Sequence, residues 1–399
     1  MAAFNLKSLV RPNIAQLEPY RCARDDFKEG ILLDANENTH GPALSQISDW
    51  EDALELNRYP DPHQIALKQQ IVDFRNAAPN RFFDNNKKLS PENLCLGVGS
   101  DESIDLLLRC VCVPGTDKLL VCPPTYGMYS ICAKVNDVSL ATVPLTVPGF
   151  QLDVPKIVEA VSADPLIKLL YVTSPGNPTA KLLNVESIVD LLKQVQQTWN
   201  GIMVVDEAYI DFSPDKDGFS QSVSTLVNQF PNLVVFQTLS KSFGLAGIRL
   251  GITFASPELS GYLNAMKYPY NISSLTSAVA TRSTDEQLGL SVMRQYVDLI
   301  VDQRAFVLSE LQKLAGVGRN LGGLDANFLL LEFLDKNGTP SNEVAKAVYN
   351  NLAVHNGVVV RFRGSEMNCT GALRISIGTE SENKILLERL AKCLEEARK

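Results

Sequence analysis

Residues 238–251 read Thr-Leu-Ser-Lys-Ser-Phe-Gly-Leu-Ala-Gly-Ile-Arg-Leu-Gly. Two hydroxyls, Thr238 and Ser240, precede Lys241; a run of small residues follows and Arg249 closes it. Hydroxyls and a guanidinium suit a phosphate monoester dianion, the arginine through a two-pronged fork. A lysine near an apolar strand end can lose proton affinity and attack a carbonyl as a free amine. The stretch lacks GxxxxGK[ST], so it is not a Walker loop. Gly97-Val98-Gly99 lacks the third glycine of a dinucleotide fingerprint and reads as a turn.

The elements that must position these groups are legible as short apolar runs. Asn93 to Val98, Lys118 to Cys122, Leu169 to Thr173, Ile202 to Val205 and Leu233 to Phe236 have the texture of strands buried on both faces. Helical patterns separate several of them, such as Val185 to Trp199. This alternation predicts an α/β fold with a mostly parallel sheet. Ser100, Asn177, Asp206 and the Ser240-Lys241 pair each stand just past a strand, where open α/β sheets bind ligands. Singly each is an ordinary turn or cap residue, and Ser100 is expected to cap the helix carrying Ile104, Leu107 and Leu108. Beyond about residue 285 a long helical pattern, Leu288 to Leu314, leads into shorter strands and a last helix, Lys384 to Arg398. The expected division is an arm over 1–40, a large domain over 41–280 and a smaller α+β domain over 281–399.

Composition narrows the function. The chain has 399 residues, 45% hydrophobic and 21% charged, with a net charge of −8. That balance argues against disorder and leaves no electrostatic footprint for nucleic acid or anionic membrane. No stretch approaches the length of a membrane span, and the N-terminus lacks the apolar region of a secretory signal. The eight cysteines and three histidines show no zinc spacing, so no metal is expected. Several cysteines sit in apolar runs and read as buried, reduced thiols of a cytoplasmic protein.

Ser-Lys-Ser-Phe-Gly-Leu-Ala-Gly-Ile-Arg-Leu-Gly at 240–251 resembles the lysine signature of fold-type I pyridoxal-phosphate (PLP) aminotransferases of the class II group. Other stations match in order: Gly-Val-Gly-Ser-Asp-Glu at 97–102, Pro-Pro-Thr-Tyr at 123–126, Ser-Pro-Gly-Asn-Pro-Thr at 174–179, Val-Asp-Glu-Ala-Tyr at 205–209 and Leu-Arg-Ile-Ser at 373–376. The arm (Leu17-Glu18-Pro19-Tyr20, then Leu33 to Asn38) and Asn57-Arg58-Tyr59-Pro60-Asp61-Pro62 are most similar to the histidinol-phosphate aminotransferase branch. The resemblance implies a large PLP-binding domain, a smaller C-terminal domain and a homodimer with shared sites.

It also implies residue roles. Lys241 would form the Schiff base and shuttle the proton, with Asp206 on the ring nitrogen. Asn177 and Tyr209 would bond the ring's phenolic oxygen, and Tyr126 would stack on the ring. Ser100, Asp101, Glu102, Thr238, Ser240 and Arg249 would form the phosphate cup, joined by Tyr59 of the neighbouring subunit. The carboxylates of Asp101 and Glu102 sit awkwardly beside a dianion and are expected to point away or pair elsewhere. Arg374 would hold the α-carboxylate of glutamate or 2-oxoglutarate. Arg361, or Arg363 in its place, would take the phosphate of histidinol phosphate, with Tyr20, Asn36 and Asn327 contributing. Rival readings are an aromatic aminotransferase, a threonine-phosphate decarboxylase and a non-catalytic PLP-binding regulator.

Overall fold

The computed structural model describes residues 3–18 and 48–399. The apolar runs pair into a seven-stranded sheet: β1 (Leu94–Val98), β2 (Lys118–Val121), β3 (Ser139–Thr142), β4 (Ile167–Thr173), β5 (Ile202–Asp206), β6 (Leu233–Thr238) and β7 (Leu250–Phe254). Their spatial order is β1-β7-β6-β5-β4-β2-β3. The ladder is parallel from β3 through β2, β4 and β5 to β6, and β7 runs antiparallel to both β6 and β1.

Alternate residues of each strand enter two different cores, as the two-residue period of a strand requires. Leu170, Val172, Met203, Val205 and Val235 pack with the helices Ile65–Ala77, Val154–Ala163 and Val185–Val195. Leu169, Tyr171, Ile202, Val204 and Phe236 pack on the other face, with the helices Gly99–Val111, Met128–Val135 and Pro257–Met266. Helices thus cover both faces, which explains why these strands lack polar alternation.

A second, antiparallel sheet has the order β10-β11-β9-β8, from β8 (Val317–Asn320), β9 (Phe328–Phe333), β10 (Arg361–Phe362) and β11 (Ala372–Ser376). The helices Ser291–Leu311, Asn342–His355 and Glu380–Ala397 enclose its own apolar core. We propose the passage from one unit to the other at about 285–290. Thr284 still donates to Gln70 of the large unit, while Val307 and Leu311 already belong to the core of the small one.

Several expectations are corrected. Within the expected arm, Leu6, Leu9, Val10 and Ile14 are buried in the large core. β3, β7 and β8 were not foreseen. β7 hides behind the Arg249-Leu250-Gly251 run, whose small residue reads as loop; Gly251 is required there because a Cβ would lie 2.3 Å from the Gly99 carbonyl carbon. Val358 to Phe362 has the apolar texture of a strand, but only Arg361 and Phe362 join the ladder. Ser100 caps nothing. The helix begins at Gly99, with Val98 at the N-cap and no side-chain cap, and Glu102 turns back to accept the Val98 N–H.

Candidate active site

The strand ends and the second sheet enclose a cavity of about 320 Å³ lined by Ser100, Asp101, Tyr126, Asn177, Asp206, Tyr209, Thr238, Ser240, Lys241, Arg249, Arg361, Arg363 and Arg374. The topology explains the convergence. β4, β5 and β6 are parallel neighbours, so the loops after their carboxyl ends share one edge of the sheet. β10 and β11 lower Arg361 and Arg374, which are directly opposed in register, onto that edge from the other unit.

Asp206 ends β5 and is 3% exposed. Burial pushes its carboxyl up to about 6. Hydrogen bonds from Tyr129 Oη to Oδ2 (2.7 Å) and from the Ala208 N–H to Oδ1 (3.2 Å) pull the other way, holding the ionised form. Tyr129 Oη also lies 2.8 Å from Thr173 Oγ1. Neither Tyr129 nor Thr173 was singled out in the sequence. Tyr126 lies just before the helix Met128–Val135 and Tyr129 in its first turn, and the two rings meet edge to face at 5.6 Å.

Lys241 is half-buried, its Nζ 5.6 Å from the centroid of the Tyr209 ring. Burial lowers its proton affinity, and the Arg374 charge lowers it further. Tyr209 is pushed up to about 12, chiefly by burial, so its phenol stays a donor. Asn177 Oδ1 accepts a 2.6 Å hydrogen bond from Arg374, which leaves the Nδ2 hydrogens to donate.

An anion cradle lies beside the lysine. Thr238 Oγ1 donates to the Leu250 carbonyl at 3.0 Å, accepts the Ser240 N–H at 3.1 Å and lies 2.9 Å from Ser240 Oγ. Arg249 holds a left-handed backbone, φ 53°, a conformation that costs a non-glycine residue energy and is common at binding sites. Its guanidinium lies over Gly99, whose φ of 76° falls in the left-handed region that favours glycine. The first turn of the helix Gly99–Val111 adds unpaired N–H groups. Asp101 turns to Tyr126 Oη (3.2 Å) and Arg249 (3.8 Å), while Glu102 is spent on Val98, so neither carboxylate is unpartnered beside the cradle.

Arg363 and Arg374 each bury an Nε with no partner, although Arg363 also bonds Glu366 at 3.3 Å. Burial and the neighbouring Arg363 and Arg361 charges depress Arg374. Three like charges with unspent donors fit small anions. Together the amine, the buried acid, the amide, the phenol and the cradle fit a phosphorylated pyridine aldehyde. A larger cavity of about 510 Å³, lined by Arg81, Lys181 and Lys216, contains no such set.

Other sequence-assigned residues lie elsewhere. Glu102 is outside the cavity. Asn327 does not line it, and its carbonyl accepts the Ile377 N–H at 2.9 Å. Tyr59 is half-exposed, stacked on Tyr270 with ring centroids 4.6 Å apart. Tyr20 and Asn36 fall outside the described residues.

Comparison with known proteins agrees with this geometry. The family model described as "Aminotransferase class I and II" matches residues 28–390. The chain is 68% identical over 386 residues to a histidinol-phosphate aminotransferase of Candida maltosa, covering 97% of each chain. It is 50% identical over 396 residues to one from Schizosaccharomyces pombe, covering 98% of each. Among solved structures, the histidinol-phosphate aminotransferase of Sinorhizobium meliloti in complex with pyridoxal-5'-phosphate superposes with a TM-score of 0.73 at 22% identity, over 91% of this chain and 90% of that one. The L-threonine-O-3-phosphate decarboxylase of Porphyromonas gingivalis gives 0.63 at 16% identity, over 89% and 98%. At such identities the last two establish the fold alone.

Proposed function

Since the chain belongs to the class I and II aminotransferase family, we propose that it exchanges an amino group between histidinol phosphate plus 2-oxoglutarate and imidazole-acetol phosphate plus glutamate. PLP is its cofactor. The near-complete match to the fungal relatives supports the substrate pair. The observation that carries the reading is the convergence of Lys241, Asp206 and three arginines on one cavity.

When bound, PLP supplies an electron sink for charge developing at the substrate α-carbon. Lys241 provides an amine of lowered proton affinity that can tether the cofactor carbonyl, then hold or release a proton at Nζ. Asp206 keeps the ring nitrogen protonated by charge, and Tyr129 keeps Asp206 ionised and aimed. Asn177 Nδ2 and Tyr209 Oη donate to the ring oxygen. Ser100, Thr238, Ser240, Arg249 and the N–H groups at 101 and 102 receive the cofactor phosphate. Tyr126 covers the ring.

The two substrates carry different anions, a phosphate on one and two carboxylates on the other. Arg374, held by Asn177, is assigned the α-carboxylate, and Arg361 and Arg363 the substrate phosphate or the distal carboxylate. We assign Tyr59 to the site of a second subunit, making the working unit a homodimer. Cytoplasmic location is part of the same proposal: the seven described cysteines are buried and unbridged, and no described helix is long and apolar enough to cross a membrane.

The test is a half-reaction. Histidinol phosphate bleaches the visible absorbance of the PLP-loaded protein at concentrations where phenylalanine does not. Equal bleaching by phenylalanine would make it an aromatic aminotransferase, carbon dioxide release from threonine phosphate a decarboxylase, and bound PLP with no turnover a regulator.

A further inference from the structure

Behind the cavity wall, a buried polar chain joins the residue after Asp206 to the residue after Lys241. Glu207 is 2% exposed. It accepts from Ser222 Oγ and the Val223 N–H, both at 2.6 Å, and from Gln237 Nε2 at 2.8 Å. Gln237 Oε1 accepts from Arg75 Nε at 2.8 Å. The other arm of Arg75 donates to Asp211 Oδ1 at 2.7 Å, and Asp211 Oδ2 accepts from Ser242 Oγ at 2.6 Å. Each link pairs a donor with an acceptor, and Arg75 is the cation that stands between the two carboxylates. An apolar contact runs alongside: Phe74, under the Arg75 guanidinium at 4.4 Å, meets Phe243 edge to face at 6.2 Å. Ser242 and Phe243 are therefore both fastened to the last turns of one helix, Ile65–Ala77.

We infer that Arg75, acting through Asp211 on Ser242 and through Gln237 on Glu207, is a positioning residue that fixes the Lys241 amine relative to the Asp206 carboxylate. None of the five side chains needs to touch substrate or cofactor. The turn after Lys241 is closed by two backbone bonds, Gly244 N–H to Lys241 O and Leu245 N–H to Leu239 O, both 3.0 Å. Its placement against β5 depends on the side-chain links. Small errors in the placement of reacting groups are costly, so loosening this chain slows turnover more than it weakens binding.

The inference rests on the aminotransferase reading, and its test separates the two. Removing Arg75 takes the cation away from the partly buried Asp211 and strands the Gln237 carbonyl, which endangers folding, so Ser242→Ala and Asp211→Asn are the informative variants. Each is expected to lower kcat about threefold to tenfold, the worth of one hydrogen bond, with KM for histidinol phosphate within about twofold. The pH midpoint of the cofactor's visible absorbance moves in both, although the charges facing Lys241 (Arg374, Asp101, Arg249 and Asp206) are untouched. In the apoprotein, the amides of Gly244 and Leu245 exchange hydrogen faster. Ser242→Thr, which keeps the hydroxyl, restores all of these. The inference is overturned by unchanged kcat, by a loss matching only the fraction of protein unfolded, or by a threonine variant no better than alanine. If the wild-type protein is bleached only by another amino donor, the substrate reading fails, and the same comparison runs with that donor.

Discussion

Lys241 and Asp206 owe their chemistry to burial pulling them in opposite directions. Desolvation lowers the proton affinity of the lysine and raises that of the acid. Lys241→Ala is expected to abolish the visible absorbance of the PLP-loaded protein and cut turnover by about a thousandfold or more; a spectrum like wild type would move the tether elsewhere. Asp206 also affects stability. Its folded value, about 6, lies above the ordinary 3.8. The folded state therefore binds its proton more tightly, and its contribution to stability falls as pH rises from about 4 through 6. Asp206→Asn should stabilise the apoprotein at neutral pH by on the order of 2 kcal/mol and flatten that part of the pH profile in urea titrations. The same variant should lose most turnover, because an amide carries no charge to hold the ring nitrogen protonated.

At the scale of elements, the cradle is built by two segments in close approach. β7 runs so near the start of the helix Gly99–Val111 that Gly251 has no room for a side chain against the Gly99 backbone. Gly251→Ala is expected to destabilise the protein by about 1–3 kcal/mol and weaken PLP retention, read from urea midpoints with and without the cofactor. The gain in midpoint on adding PLP should shrink. The loop after β6 was readable from its hydroxyls, lysine and arginine. The antiparallel strand that follows was not, because its glycine is dictated by a neighbour about 150 residues away in the chain. Tyr129 escaped notice for a similar reason: a tyrosine among apolar helix residues reads as core, and only its 2.7 Å contact with Asp206 gives it a role.

For the whole molecule, the site needs both sheets, because the cradle and lysine come from one and Arg361, Arg363 and Arg374 from the other. The proposed dimer extends this sharing to a second chain through Tyr59. Mixing inactive Lys241→Ala protein with inactive Tyr59→Ala protein should restore up to about a quarter of wild-type activity, since half of the randomly mixed dimers keep one intact site. No recovery after subunit exchange, verified by native mass spectrometry, would place Tyr59 in a role within its own chain.

The sequence by itself determined the chemistry and the class of fold. The order of apolar runs set a mostly parallel sheet, and the stations from Gly97 to Arg374 contain most of the residues that line the cavity. Those signals are local, each contained in a few consecutive residues. Tertiary structure alone decided which partners the carboxylates beside the cradle take, which arginines keep unspent donors, and how Glu207 and Ser242 come to be joined through Arg75. The links of that chain bring together residues from 75 to 242, and no local pattern marks such partners, because a buried hydrogen bond requires only that two groups meet once the chain has folded.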